Sequence, residues 1–157
     1  MQTIKAPVAV EMKSVVGEPM AGCPVHAVKD RLMSAGLRPT RQRVALGWLL
    51  FGKGHRHITA ERLYDEATLA RVNLSLATVY NTLHQFTESG LLREIAVDGS
   101  KTWFDTNTSR HHHFLIEGEN ELVDIPGEMV AISRLPPLPE GLEIVDVDVV
   151  VRVRRKV

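Results

Sequence analysis

The spacing of hydrophobic positions changes period once along the chain, and that change divides it. Val28, Leu32 and Ala35 recur at helical spacing and stop at Gly36. A second helix is predicted after Pro39-Thr40, with Thr40 as N-cap. It is expected to bury Val44, Leu46, Trp48, Leu49 and Leu50 and to end at Gly52 and Gly54. Thr59 caps a third helix with Leu63, Ala67 and Ala70 on its inner side. Ser75 caps a fourth, Leu76 to about Glu88, closed by Gly90. Beyond Gly90 the period falls to two. Residues 91–97 and 101–105 flank Asp98-Gly99-Ser100, the signature of a β-hairpin with an Asp-Gly turn. Short strands are expected over His113–Glu117 and Glu121–Ile125. A longer one, Leu142–Arg154, should follow Pro136, Pro137 and Pro139, with Val145, Val147, Val149, Val151 and Val153 on one face.

This order predicts an α+β protein: a mobile arm over 1–25, a helical module with a two-stranded wing over 26–105, and a small α/β module over 106–157. Three helices followed by such a wing form the winged helix-turn-helix plan, here spanning 38–105. In that plan the last helix enters the DNA major groove by its N-terminal end.

Charge supports the division. The net charge is zero, yet residues 31–110 carry eleven Lys/Arg against seven Asp/Glu, while 111–151 carry one Arg against nine acids. The last six residues add four positive charges. A basic first half suits phosphate and an acidic second half does not. Arg38, Arg41 and Arg43 at the start of the second helix and Lys101 in the wing are candidates for the backbone. Ser75, Thr78, Tyr80 and Asn81 at the start of the fourth helix are candidates for phosphate and base edges, the amide of Asn81 being able to pair with adenine.

The 44% apolar content is that of an ordinary globular chain, and no apolar run reaches the roughly 20 residues of a membrane span. No export signal is visible, so a cytoplasmic protein is expected. One cysteine, Cys23, excludes an internal disulfide and suits a reducing compartment. There is no His-Glu-x-x-His, no nucleophile with an evident base and no Gly-rich phosphate loop, so an enzyme is not expected.

Two further features carry chemistry. His111-His112-His113 is internal; in a strand His111 and His113 share one face, and His112 and Phe114 the other. Gly22-Cys23-Pro24 holds a Cys-Pro pair, whose thiolate is a good axial ligand for ferric haem. His26, three residues on, is a candidate second axial ligand.

Gly36-Leu-Arg-Pro-Thr-Arg-Gln-Arg43, His57-Ile-Thr-Ala-Glu-Arg-Leu-Tyr64, Ala77-Thr-Val-Tyr-Asn-Thr-Leu83 and the run Asp105 to His113 resemble the ferric uptake regulator family. The resemblance covers about residues 27–157. The Cys-Pro pair, together with Glu117-Gly-Glu-Asn120 where many members have Cys-x-x-Cys, resembles its iron response regulator branch of rhizobia and related α-proteobacteria.

The resemblance implies a homodimer that binds double-stranded operator DNA, with 106–157 as the dimerisation domain. It would control iron-uptake, iron-storage and haem-synthesis genes, acting under iron limitation and being inactivated or destabilised by haem. A haem-delivering protein is a further partner it suggests. It implies haem at Cys23, His111, His112 and His113. It also implies a divalent metal (Fe, Mn or Zn) at His57, Asp105 and His112, with Phe114 replacing one usual ligand. For a second site, His111 and His113 are available, Val147 replaces a histidine, and Asp146 or Asp148 is the substitute. A structural zinc held by four cysteines of one chain is excluded by the single cysteine. The alternative within the same fold is a divalent-metal or peroxide-sensing repressor.

Overall fold

The computed structural model describes residues 24–98 and 101–157. Cys23, residues 1–22, Gly99 and Ser100 lie outside the described residues, and with them the expected Asp-Gly turn. The elements run α1 (Pro24–Ser34), α2 (Arg41–Phe51), β1 (His57–Thr59), α3 (Ala60–Leu69), α4 (Leu76–Glu88), β2 (Arg93–Asp98), β3 (Lys101–Asp105), β4 (His111–Ile116), β5 (Glu121–Pro126), a 3-10 turn (Gly127–Met129) and β6 (Val150–Val153).

Caps set the helix starts. Thr40, Thr59 and Ser75 are extended, and each accepts a hydrogen bond from the backbone N–H three residues on. α1 begins at Pro24, where a missing N–H costs nothing, so the last two residues of the expected arm are helical. Gly90, at φ +79°, provides the left-handed turn that ends α4 and feeds β2.

The four helices enclose one apolar core. Val28 and Leu32 from α1, Leu46, Leu49 and Leu50 from α2, Leu63 from α3, and Val79, Leu83 and Phe86 from α4 are buried there with Phe104 of β3. Two expectations fail at its edge. Trp48 is exposed because it lies just past Gly47, which packs on Val28; the indole therefore turns outward. Ala70 is the exposed C-cap of α3, not part of its inner face.

There are two three-stranded sheets, ordered β1-β3-β2 and β5-β4-β6. The first contains the expected hairpin plus β1, a three-residue edge strand whose short pattern carries no period. It pairs antiparallel with β3, placing His57 opposite Asp105. In the second sheet β4 and β5 pair antiparallel, with His113 opposite Asp124, while β6 runs parallel to β4. β4 starts at His111, two residues earlier than expected. The long C-terminal strand shrinks to Val150–Val153. Val145 is 92% exposed, because residues 131–149 form no strand and have no ladder partner.

Candidate metal centre

Each sheet contributes one cross-strand His–Asp pair, and the two pairs face each other. His57 and Asp105 come from β1 and β3; His113 and Asp124 come from β4 and β5. His111, two residues before His113, shares its face and completes the group. The five donor atoms all lie within 4.8 Å of one another. Asp105 Oδ2 is 2.8 Å from His111 Nε2, 3.1 Å from His113 Nε2 and 3.2 Å from His57 Nε2. Asp124 Oδ1 is 2.7 Å from His57 Nε2 and 3.3 Å from His111 Nε2.

The neighbouring contacts aim these donors inward. His111 Nδ1 donates to Ser109 O at 2.7 Å, which turns Nε2 toward the cluster. The Asn107 N–H donates to Asp105 Oδ1 at 2.8 Å, and its side-chain amide reaches Asp124 Oδ2 at 3.4 Å. Asn107 Oδ1 in turn accepts from Ser109, so the amide orientation is fixed from both ends. The segment before His57 is held by a fork between Arg56 and Glu66 of α3, at 2.9 and 2.6 Å, and by a hydrogen bond from the Arg56 N–H to Thr106 Oγ1.

The set fits a divalent cation. His57 Nε2 and Asp124 Oδ1 are buried and 2.7 Å apart, yet neither makes a hydrogen bond of proper direction, as suits donors arranged for a shared ion. Three imidazole nitrogens and two carboxylate oxygens suit Fe²⁺, Mn²⁺ or Zn²⁺, and the two negative charges balance a 2+ ion. A coordination shell with bonds of about 2.0–2.2 Å spans roughly this spread of donors.

Protons are the competing charge. Burial pulls the His57 imidazole down, but Asp105 and Asp124 outweigh it and hold it up at about 9. Hydrogen bonds to Asp105 and then Asp124 raise His111 to about 10. Burial pushes both carboxyls up, but the surrounding histidines win and hold both well below the usual carboxylate range.

Of the residues expected at the metal site, His57 and Asp105 lie together in this cluster and His112 does not. Strand alternation turns His112 to the opposite face, where its Nδ1 accepts from the Val149 N–H at 3.2 Å. Its place is filled by His111, His113 and Asp124. Asp124 is not among the expected ligands, although counting back from the Glu117–Asn120 turn sets it opposite His113. Asp146 and Asp148 do not complete a second site. Both pair with Arg93, the residue opposite Asp105 on β2.

The residues expected at DNA lie on the helical half. Arg38, Arg41, Asn81 and Lys101 are exposed. Arg43 is engaged internally: its guanidinium donates to Gln85 Oε1 of α4 at 2.9 and 3.2 Å and to Arg38 O at 2.9 Å. Ser75 and Thr78 are joined to each other at the start of α4, hydroxyl to hydroxyl at 2.9 Å. Tyr80 is hydrogen-bonded to Glu61.

The family model described as "Ferric uptake regulator family" matches residues 34–151. The chain belongs to the ferric uptake regulator family. Its members are metal-responsive transcription regulators, and metal binding at this cluster is in keeping with that. The chain is 37% identical over 102 residues to the peroxide-responsive repressor PerR of Staphylococcus epidermidis, covering 63% of this chain and 67% of that one. The PerR of Staphylococcus aureus strain Mu50 is equally similar, with 68% of its length covered. Among solved structures, the ferric uptake regulator from Pseudomonas aeruginosa with manganese superposes with a TM-score of 0.62 at 29% identity, over 82% of this chain and 98% of that one. The Vibrio cholerae ferric uptake regulator gives 0.64 at 22% identity over 81% and 98%, which speaks for the fold. No helix among the described residues is long and apolar enough to cross a membrane.

Two outcomes follow for the ferric uptake regulator site. Ions require neutral imidazoles, so binding near pH 7 must displace protons from His57 and His111. Apparent affinity for Mn²⁺ or Zn²⁺ should rise with pH, by up to about 100-fold per unit where two protons leave. The metal-free protein behaves oppositely. Stability from the raised histidines is complete below about 6.5 and is lost as pH rises through 9 to 10. Titration calorimetry in buffers of different ionisation enthalpy, with thermal melts of the metal-free form, checks both signs.

The second outcome separates the two faces of β4. Asn107→Ala should weaken metal binding about 10–100-fold, as loss of a ligand-orienting contact does, and Asp124→Ala by more. His112→Ala should leave metal affinity unchanged, read by competition against a chromogenic chelator.

Proposed function

We propose that the protein is a metal-gated repressor that binds operator DNA as a homodimer. In this reading residues 26–105 are a winged-helix DNA-binding domain and 106–157 the dimerisation domain. The observation that carries it is the composition of the metal cluster. His57 and Asp105 come from the sheet fused to the helical core, and His111, His113 and Asp124 from the other sheet. A bound ion supplies the charge that lets Asp105 and Asp124 lie together without protons on their partners. The five residues then fix the wing's sheet against the second sheet, and α4 with it. Arg38, Arg41, Lys101 and the N-terminal turn of α4 would face phosphate, and Asn81 the base edges.

The test is fluorescence anisotropy with an AT-rich duplex at fixed salt, comparing Mn²⁺, Fe²⁺ and Zn²⁺ with chelator-treated protein. Metal should strengthen binding at least about 10-fold, the scale of an ordinary allosteric coupling, and Asp124→Ala should abolish the gain. Equal binding with and without metal overturns the gating. The 37%-identical relatives named peroxide-responsive repressors support an extension, in which the Fe²⁺-loaded form alone is inactivated by hydrogen peroxide; Zn²⁺ has no redox chemistry and serves as the control.

A second reading, a haem-responsive iron regulator of the iron response regulator type, rests on the sequence pair Cys23-Pro24, whose proline begins α1, and on His26, exposed in the first turn of that helix. In this reading Cys23 is the primary ligand. His111, His112 and His113 are 4%, 5% and 1% exposed and offer a flat ring no open face, so they would take part only after local opening. Hemin titration of wild type and Cys23→Ala separates the readings. A Soret band lost in the variant supports haem sensing; identical spectra remove it.

A further inference from the structure

At the DNA-facing end of the helical half, three elements meet at a single carboxylate. Glu61, in the first turn of α3, accepts a hydrogen bond from the Tyr80 hydroxyl of α4 at 2.5 Å. Lys101, at the start of β3, is near enough to favour the ionised form of Glu61. The Tyr80 ring is also held from its own helix: it stacks on His84 with centroids 6.5 Å apart, and His84 meets Phe104 of the core edge-on at 5.8 Å. The side chain is thus fixed at its oxygen and along its ring.

An acid in the first turn of a helix is favoured there by the helix dipole alone. That would not hold it against the phenol of another helix. On a surface meant for phosphates a carboxylate also repels the ligand, so its presence needs a return.

A tyrosine oxygen has one proton to give and lone pairs to receive. We propose that Glu61 is a specificity-determining residue of the DNA interface: by taking the only O–H of Tyr80, it leaves that residue to read bases as an acceptor and through its ring, never as a donor. In the major groove an acceptor matches the amino groups of adenine and cytosine, and a ring packs on the thymine methyl. A donor would match guanine O6 and N7, thymine O4, or any phosphate. The Glu61 bond removes the options that would make Tyr80 indifferent to sequence. This inference rests on the DNA-binding reading above.

The experiment uses the full chain loaded with Mn²⁺. Binding sites are selected from a randomised duplex pool, and positions whose preference changes in Tyr80→Phe are taken as those Tyr80 reads. Single-base variants there are then measured against Glu61→Gln and Glu61→Ala. Both substitutions remove a negative charge and should strengthen binding overall, in Glu61→Gln by the same factor for every duplex. Only Glu61→Ala removes the acceptor, so it alone should lose roughly 3- to 10-fold in discrimination at the Tyr80 positions, the worth of one hydrogen bond. It should add nothing further in the Tyr80→Phe background. Ultraviolet titration gives a readout independent of DNA: the Tyr80 phenol should ionise at lower pH in Glu61→Ala than in wild type, with the fold retained by circular dichroism. Unchanged discrimination in Glu61→Ala, or equal loss in Glu61→Gln, overturns the proposal while leaving DNA binding intact. Failure of the wild type to enrich any sequence overturns the DNA-binding reading itself, and this inference with it.

Discussion

Asp105 is a fully buried carboxylate, and the relation between the two sheets depends on what neutralises it. A buried anion without partners is too costly to keep, and here three imidazole nitrogens supply the compensation. Two of those imidazoles belong to β4 and one to β1, so neutralising Asp105 already joins the halves of the chain. Asp124 adds a second charge from the opposite side and makes the demand for positive charge greater than one proton can meet. Protons and a divalent ion are thus rival solutions to one electrostatic problem. They differ in geometry, because protons sit on separate nitrogens whereas an ion draws every donor toward one point.

The helical half is prepared to transmit such a change as a unit. Arg43 bolts α2 to α4 through Gln85, and the Arg56–Glu66 fork bolts the entry of β1 to α3. Phe104, next to Asp105 on β3, alternates to the other face of its strand and lies in the core with Phe86 of α4. A displacement of Asp105 is therefore felt one residue away in the packing beneath α4. Of the residues on the candidate DNA surface, Arg43 and Tyr80 belong to this same bonded framework, through Gln85 and Glu61.

Much of this was legible in the sequence, for local reasons. Thr40, Thr59 and Ser75 announce helices because their hydroxyls can cap nothing else so well, and the glycines after α1 and α4 stop them. The antiparallel pairing of the strands that flank Asp98 and Lys101 is equally local. What escaped was relational. β1 is three residues long, too short to show a period, and its existence is settled only by pairing with β3. Val145, Val147 and Val149 read as strand because they alternate, yet alternation needs a partner strand, and only Val150–Val153 finds one. At the metal centre, strand alternation separated His112 from its neighbours correctly, while matching by position assigned it to the ion. His111 and His113 already read as sharing the correct face, but the cross-strand partner Asp124 becomes visible only when the β4–β5 register is counted from the turn.

The stretch from 131 to 149 connects the short turn after β5 to β6, and among the described residues its side-chain anchors are Asp146 and Asp148 on Arg93. The Val149 N–H on His112 secures the point where it joins β4. Between Ala131 and Val145 the chain makes a local backbone bond, from the Leu142 N–H to Pro139 O, which leaves the contour length of the span free. Loop-closure entropy grows only slowly with added residues, so this span can lengthen or shorten across relatives at small thermodynamic cost. The distance from Asp146 to Val150 has no such freedom, since it must bridge Arg93 on one sheet and His113 on the other. Variation in length should therefore gather before Asp146, and the few residues after it should keep their spacing even where their identities drift.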